Sequence, residues 1–348
     1  MTDDGLVPVI DIGAWADADH GSRASIAKRV DQACRTVGFM QIVGHGVPDD
    51  VVAGLGAAID WFFALPEEVK AATRAPRPSI NRGYTPPRSE RLSYSLGVVS
   101  PDDLFAAFNV GAARSDFPGL DLDADTYAEN IWPAGYDGER FRQPVQRWFA
   151  AAGAVARRMT EIFATALDLP ADHIRGFTDH SIDVLRMNLY DVPPGVVVGE
   201  SQMGMGAHTD YGIVTVLWAD AVPGLEILRP DGSWLPVAPA PGALLINLGD
   251  LLARWSNDRW LSTMHRVSPP RDASGSLLRR RSAAFFHDGN ADAVISTLPP
   301  CRAADGSSAY PDVTVGEHLA QKLGGSRGLE LNPHAQREAS RIGAGGAG

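Results

Sequence analysis

From Asp183 onward the chain is built of short β-prone runs, and this constrains its fold more than any other feature. The runs at 184–190, 213–218, 225–228, 243–247, 265–267 and 277–286 recur between turns marked by glycine and proline. Strands this short, joined by turns, predict an antiparallel β-sandwich or barrel and not a parallel sheet. The earlier half reads differently. Strands are expected at 7–12 and 39–43, and a helix from Ser22 or Ser25 to about Val37, with Ile26, Val30, Ala33 and Val37 on one face. Further helices are expected after Pro48 and near Pro66, where proline suits a first helical turn. From Phe141 to Leu167, Val145, Trp148, Phe149, Ala152, Val155, Met159, Ile162 and Phe163 form one stripe, which predicts the longest helix. The stretch from about Thr73 to Asn130, rich in Pro, Arg, Ser and Gly, reads as a long functional loop or lid. The expected division is a helical region with a few strands over 1–180, a β-rich core over 181–323, and a tail over 324–348 that is poorly ordered at its end, all in one compact unit.

With 45% hydrophobic and 21% charged residues, the chain has ample apolar material for a core. Its net charge of -11 argues against a nucleic-acid partner, which wants a clustered basic surface, and gives no support for an anionic membrane. No apolar run approaches the ~20 residues that span a bilayer. Met1-Thr2-Asp3-Asp4-Gly5 lacks the basic start and apolar stretch of a signal peptide. The two cysteines, Cys34 and Cys301, lie far apart; they favour a reduced, cytoplasmic home and cannot make a zinc site by themselves. No obligate protein partner is indicated.

Ala207-His208-Thr209-Asp210-Tyr211 contains a His-x-Asp step. If the step lies in a strand, residues two apart share a face, so the His208 imidazole and the Asp210 carboxylate converge. His265, in a later β-prone run, is the candidate third ligand. Two imidazoles and one carboxylate on one side of a metal leave the opposite positions open, which suits Fe(II); zinc accepts the same donor types. The bland alternative is a hydrogen-bonded pair. His20, His45, His173, His180, His287, His318 and His334 read as surface or supporting groups.

Arg279-Arg280-Arg281-Ser282 sits inside an apolar run ending in Phe285-Phe286. Period two puts Arg280 and Ser282 on one face, where a guanidinium and a hydroxyl together grip a carboxylate. Arg279 and Arg281 read as a solvated edge. In Arg186-Met187-Asn188-Leu189-Tyr190, Asn188 and Tyr190 share a face and are candidates to bond a bound acid or keto group. Tyr190 fits a buried core position equally well, and Arg186 has no assigned role.

Taken in order, Val7-Pro8-Val9-Ile10-Asp11, Gly44-His45-Gly46-Val47, Trp61-Phe62-Phe63-Ala64-Leu65-Pro66, Asn188-Leu189-Tyr190, His208-Thr209-Asp210, Asn247-Leu248-Gly249-Asp250, His265-Arg266-Val267 and Arg280-Arg281-Ser282 make a chain that resembles the isopenicillin N synthase-like group of non-haem Fe(II)/2-oxoglutarate-dependent oxygenases. The resemblance covers nearly the whole length. It implies an α+β fold, a distorted double-stranded β-helix (jelly roll) wrapped by helices. It also implies Fe(II), 2-oxoglutarate and O2 as cofactor and cosubstrates. His208, Asp210 and His265 would be the metal triad, Arg280 and Ser282 the grip on the distal carboxylate of 2-oxoglutarate, and Tyr190 and Asn188 its helpers. The implied reaction is oxidation of a C–H bond of a small molecule by hydroxylation, desaturation or cyclisation. The alanine-, glycine- and arginine-rich composition points to a bacterial source, and many such relatives tailor natural products. A 2-oxoglutarate-independent oxidase of the isopenicillin N synthase type and a non-catalytic binding protein remain alternatives. For the substrate pocket the expected residues are Tyr84, Phe105, Phe108 and Phe286, with walls from the stretches 81–84 and 105–109; Phe105, Phe108 and Trp218 fit plain core as well.

Overall fold

Residues 280–287 read Arg-Arg-Ser-Ala-Ala-Phe-Phe-His, and their alternation sets the two faces of the main sheet. In a computed structural model, which describes residues 6–135, 137–192, 198–199 and 201–328, this strand sits inside an eight-stranded sheet. In chain order the strands are β1 (Val9–Asp11), β2 (Phe39–Val43), β3 (Gly83–Thr85), β4 (Ala106–Gly111), β5 (Val184–Tyr190), β6 (Met205–His208), β7 (Val214–Ala219), β8 (Leu225–Leu228), β9 (Trp234–Pro236), β10 (Leu244–Leu248), β11 (His265–Val267), β12 (Arg280–His287), β13 (Val294–Ile295) and β14 (Val313–Thr314). The large sheet runs β1-β2-β10-β7-β12-β5-β4-β3, and β6-β11-β8-β9 form a second sheet; β13 pairs with β14. Every pairing is antiparallel except β1 with β2. Two facing antiparallel sheets make the expected jelly roll.

Among the described residues, six α-helices accompany the strands: α1 (His20–Thr36), α2 (Asp49–Phe63), α3 (Glu67–Ala71), α4 (Glu139–Ala166), α5 (Asp250–Trp255) and α6 (Val315–Gly328). On β5 and β12, Leu185, Met187, Leu189, Ala283 and Phe285 point outward and join Leu55, Phe62, Val145, Trp148, Met159 and Phe163 of α2 and α4 in the larger core. A smaller core, with Phe39, Phe105, Tyr190, Met205, Ile227, Leu245 and Val267, fills part of the space between the sheets. Apolar packing therefore holds the outer face of the sheet, and the inner face carries Arg186, Asn188, Arg280 and Ser282 beside that smaller core.

Several expectations need correction. Helix α1 begins at His20, earlier than either serine, because Asp19 caps it and accepts from the Ser22 N–H at 2.7 Å. Gly38 turns the chain from α1 into β2 with φ +64, and a Cβ there would meet the Leu261 carbonyl at 2.1 Å. The stretch 73–130 is not one loop, since it supplies β3 and β4 to the large sheet. Short length and flanking proline, arginine and glycine hid these strands. Helix α6 runs through position 324, where the tail was expected to begin. The readings of residues 1–5 and of the tail beyond 328 lie outside the described residues. Among the described residues, no helix is long and apolar enough to cross a membrane.

Candidate active site

The register of the small sheet brings the two distant histidines together. β11 pairs antiparallel with β6, His265 opposite His208, and the two ring centroids lie 4.3 Å apart. His208 is the last residue of its strand, so Asp210 lies beyond it in the turn that leads to β7. Convergence therefore does not come from strand alternation, as the sequence argument held. It comes from hydrogen bonds that reach the turn from the large sheet. Asp210 Oδ2 accepts from Asn247 Nδ2 on β10 at 2.6 Å and from the Thr215 hydroxyl on β7. Oδ1 is thereby turned toward the imidazoles, 3.8 Å from His208 Nε2 and 3.6 Å from His265 Nε2.

Each histidine is held from behind by a carbonyl. His208 Nδ1 lies 2.7 Å from the Gly206 carbonyl and His265 Nδ1 lies 3.1 Å from that of Thr263. A carbonyl only accepts, so Nδ1 carries the proton and Nε2 offers its lone pair. Burial, and then the neighbouring His265 imidazole, push the His208 pKa well below the ordinary imidazole value, which favours the neutral form that a cation needs. All three side chains are buried, and one ligand atom of each lies within 4.8 Å of the others. The donor set of two nitrogens and one oxygen fits a single divalent cation with positions left open.

These three side chains form one end of an internal cavity of about 130 Å³. Arg280 and Ser282 line it too, each 2% exposed. The Arg280 guanidinium lies over the Tyr190 ring at 5.1 Å, and its Nε donates to the Val222 carbonyl at 3.3 Å. Its Nη1 is buried without any hydrogen-bond partner. An unpaired guanidinium N–H buried this deeply is costly unless an anion takes it, so a carboxylate fits here. Asn188 Nδ2 reaches Ser282 Oγ at 3.5 Å, and Tyr190 lies opposite Arg280 in the β5–β12 register. Burial raises the Tyr190 pKa, and the Arg280 charge opposes that rise, so the phenol stays protonated.

Arg279 and Arg281 point outward as expected, but they are more than a solvated edge. Both pair with Asp60 of α2, and Arg281 also pairs with Asp220. Arg186, unassigned from sequence, is buried on the cavity side. It pairs with Glu90 at 2.7 Å and lies over the Phe105 ring at 4.8 Å. Of the expected pocket residues, Phe286 lines the cavity. Tyr84, Phe105 and Phe108 do not. Phe108 and Tyr84 pack on Phe62 in the larger core, and Phe105 belongs to the smaller one. The same two stretches reach the cavity through Asn81 and Asn109 instead. Alternation along β4 gave the signal, since Phe108 and Asn109 must face opposite ways. Helix α6 adds Leu319 and Leu323 to the lining, and Lys322 beside them pairs with Asp250 at 2.8 Å. No sequence pattern marked that helix.

A jelly roll with two imidazoles and one carboxylate converging at an internal cavity is the build of a mononuclear non-haem iron oxygenase. Comparison with known sequences agrees. Residues 7–135 match the family described as the N-terminal region of the non-haem dioxygenase in morphine synthesis, and residues 182–289 match the 2OG-Fe(II) oxygenase superfamily. The chain is 34% identical over 310 residues to the 2-oxoglutarate-Fe(II) type oxidoreductase hxnY of Emericella nidulans, covering 88% of this chain and 86% of that protein. It is 34% identical over 324 residues to the validamycin A dioxygenase of Streptomyces hygroscopicus subsp. limoneus, covering 91% and 86%. Among solved structures, a full-length Neurospora crassa protein in complex with alpha-KG and thymine superposes with a TM-score of 0.81 at 29% identity, over 93% of this chain and 98% of that one. The chain belongs to the 2OG-Fe(II) oxygenase superfamily. It is an oxidoreductase, a 2-oxoglutarate-dependent dioxygenase that uses Fe(II), 2-oxoglutarate and O2 and acts on a small molecule.

Proposed function

We propose that His208, Asp210 and His265 hold the Fe(II), and that Arg280 and Ser282, assisted by Tyr190 and Asn188, anchor the distal carboxylate of 2-oxoglutarate. The observation that carries this reading is the buried, partnerless Nη1 of Arg280 in the same cavity as three converging donor atoms. When bound, iron with 2-oxoglutarate supplies an O2-driven oxidative decarboxylation, giving succinate, CO2 and an oxidant able to attack a C–H bond. The chain's own residues do the rest. The Gly206 and Thr263 carbonyls fix the histidine tautomers, and Asn247 and Thr215 hold one Asp210 oxygen so that the other faces the metal. Arg280 donates to the far carboxylate and fixes the cosubstrate's length axis, while Phe286, Leu319 and Leu323 keep the cavity dry.

Phe286 is the one residue of the expected pocket set that we retain. The region 1–180 serves in this reading as a jacket that completes the large sheet around the core 181–323, as one catalytic unit. The names of relatives, among them the validamycin A dioxygenase and the 2-oxoglutarate-dependent dioxygenase tropC of Talaromyces stipitatus, support a role in tailoring natural products. Two buried, unpaired cysteines suit a reducing, cytoplasmic compartment. The test is succinate release from 2-oxoglutarate by the Fe(II)-loaded protein. Release that depends on Fe(II) and disappears in Arg280→Met at subsaturating 2-oxoglutarate is expected; succinate formation indifferent to that change would overturn the anchor.

A further inference from the structure

The cavity has a second polar wall that neither the metal nor the carboxylate anchor uses. Asn109 on β4 lies directly across from Arg186 on β5, and both face inward with Asn81 and Glu90 beside them. Asn109 is 1% exposed. Its Nδ2 donates to Asn81 Oδ1 at 2.6 Å, while its Oδ1 is buried without a partner. Turning both carboxamides over would exchange donor for acceptor and still leave one Asn109 atom unbonded. A strand residue this deep carries an orphan polar atom only at a cost, and a ligand that bonds it removes that cost.

On this wall the Arg186 charge is matched by Glu90, and burial pushes the neighbouring Asp103 carboxyl up to about 7. Arg186 Nη2 donates to Glu90 at 2.7 Å and its Nε donates to Asn188 Oδ1 at 3.2 Å, with Glu90 6% and Arg186 8% exposed. Arg280 offers a buried N–H to an anion, whereas the Arg186 charge is matched by a buried carboxylate. An anionic guest at this wall would meet Glu90 at low dielectric and lose its own hydration. A neutral guest meets a hydrogen-bonding surface whose one cation is already matched, in a cavity also lined by apolar Phe286, Leu319 and Leu323.

We propose that the prime substrate is an uncharged small molecule bearing adjacent hydrogen-bond donor and acceptor groups, as on the N–H/C=O edge of a cyclic amide, read by the Asn109 carboxamide beside the neutralised Arg186–Glu90 pair. This rests on the placement of iron and 2-oxoglutarate proposed above. Asn109 and Glu90 are thereby specificity determinants: one bonds the guest, the other rejects its acidic analogues.

Calorimetric titration under nitrogen of the protein loaded with Fe(II) and 2-oxoglutarate tests this. The neutral probes are 2-piperidone, glutarimide and uracil, and the acidic probes are cyclohexanecarboxylate and orotate. At least one neutral amide should bind the wild type about tenfold or more tightly than either acid. Asn109→Leu should weaken that amide about tenfold. Glu90→Gln should tighten the acids about tenfold, because the Arg186 charge is then unmatched. Acids binding the wild type as tightly as the amides, no amide binding at millimolar concentration, or unchanged amide affinity in Asn109→Leu would each overturn the proposal. Binding of 2-oxoglutarate itself, measured in the same samples, should be unaltered in both variants. If 2-oxoglutarate fails to bind the wild type, the underlying reading has failed, and if it binds while the amides do not, only this inference has.

Discussion

Asn247 donates to Asp210 at 2.6 Å from β10 of the large sheet, so the carboxylate proposed as a metal ligand is steered by a residue of the opposite layer. The Thr215 hydroxyl bonds the same oxygen. Supporting bonds of this kind are worth about 10–100-fold in metal affinity. Asn247→Ala should weaken Co(II) or Fe(II) binding by about that factor while leaving the fold intact by circular dichroism. A metal titration indistinguishable from wild type would show that the Asp210 rotamer needs no such help.

Replacing either imidazole removes one of the three proposed ligands. His265→Ala or His208→Ala should abolish the visible d–d spectrum of the Co(II)-loaded protein and reduce succinate release by more than about 10³-fold. Chelation of the wild type should do the same, with activity restored by Fe(II) and not by Zn(II). Restoration by zinc would assign the centre to a different chemistry.

Arg280 is buried, and Arg280→Met keeps most of its volume. Losing a charge-assisted hydrogen bond of about 1.5–3 kcal/mol should raise the KM for 2-oxoglutarate about 10–100-fold, with metal affinity unchanged. A fall in kcat at unchanged KM would argue that the guanidinium serves the reaction and not the anchor.

His318, on α6, is buried against the Tyr211 carbonyl at 3.0 Å, and burial pushes its pKa down from 6.5 to about 4. The unfolded chain therefore takes up a proton below pH 6.5 that the folded chain refuses until about pH 4. Stability is full above 6.5 and is lost as pH falls through that window, at a slope of about 1.4 kcal/mol per pH unit for one group. Urea denaturation at pH 7.5 and pH 5 should show His318→Asn losing about 2 kcal/mol less than the wild type. Equal losses in the two proteins would mean that His318 is not excluded from protonation.

Lys322 and Asp250, each 8% exposed at the side chain, form an ion pair that pins α6 over the cavity. Lys322→Met leaves a buried carboxylate without its cation, a change typically costing about 3–5 kcal/mol. Limited proteolysis should then cut within 315–328 faster than in the wild type. Unchanged cleavage would show that Leu319 and Leu323 alone hold the helix down.

Much of this was legible in the residue order, and the reasons are local. Alternation along 280–287 and 184–190 placed Arg280, Ser282, Asn188 and Tyr190 on one face, because period two is a property of the strand itself. The His-x-Asp step also pointed to two side chains that do converge, though for a mistaken reason: Asp210 lies past the strand end, and its orientation comes from Asn247 and Thr215, contacts that no local rule contains. The same limit explains the pocket. Aromatic side chains at 84, 105 and 108 look like lining, yet whether a strand residue faces helices or cavity depends on which partner strands it meets. Asn81 and Asn109 became visible only once β4 was seated beside β5. Helix α6 gave no sign of its place because its docking depends on partners far away in the chain, the Tyr211 carbonyl for His318 and Asp250 for Lys322.

The Lys322–Asp250 pair has a further reach. Asp250 also accepts from the Thr209 hydroxyl at 2.9 Å, and Thr209 sits between His208 and Asp210. Helix α6 and the turn proposed to bind iron thus share one carboxylate. A guest too large for the space beneath the helix would hold Lys322 off and strand that negative charge beside the turn. Seating α6 and leaving Asp250 paired beside Thr209 are therefore one electrostatic condition, not two.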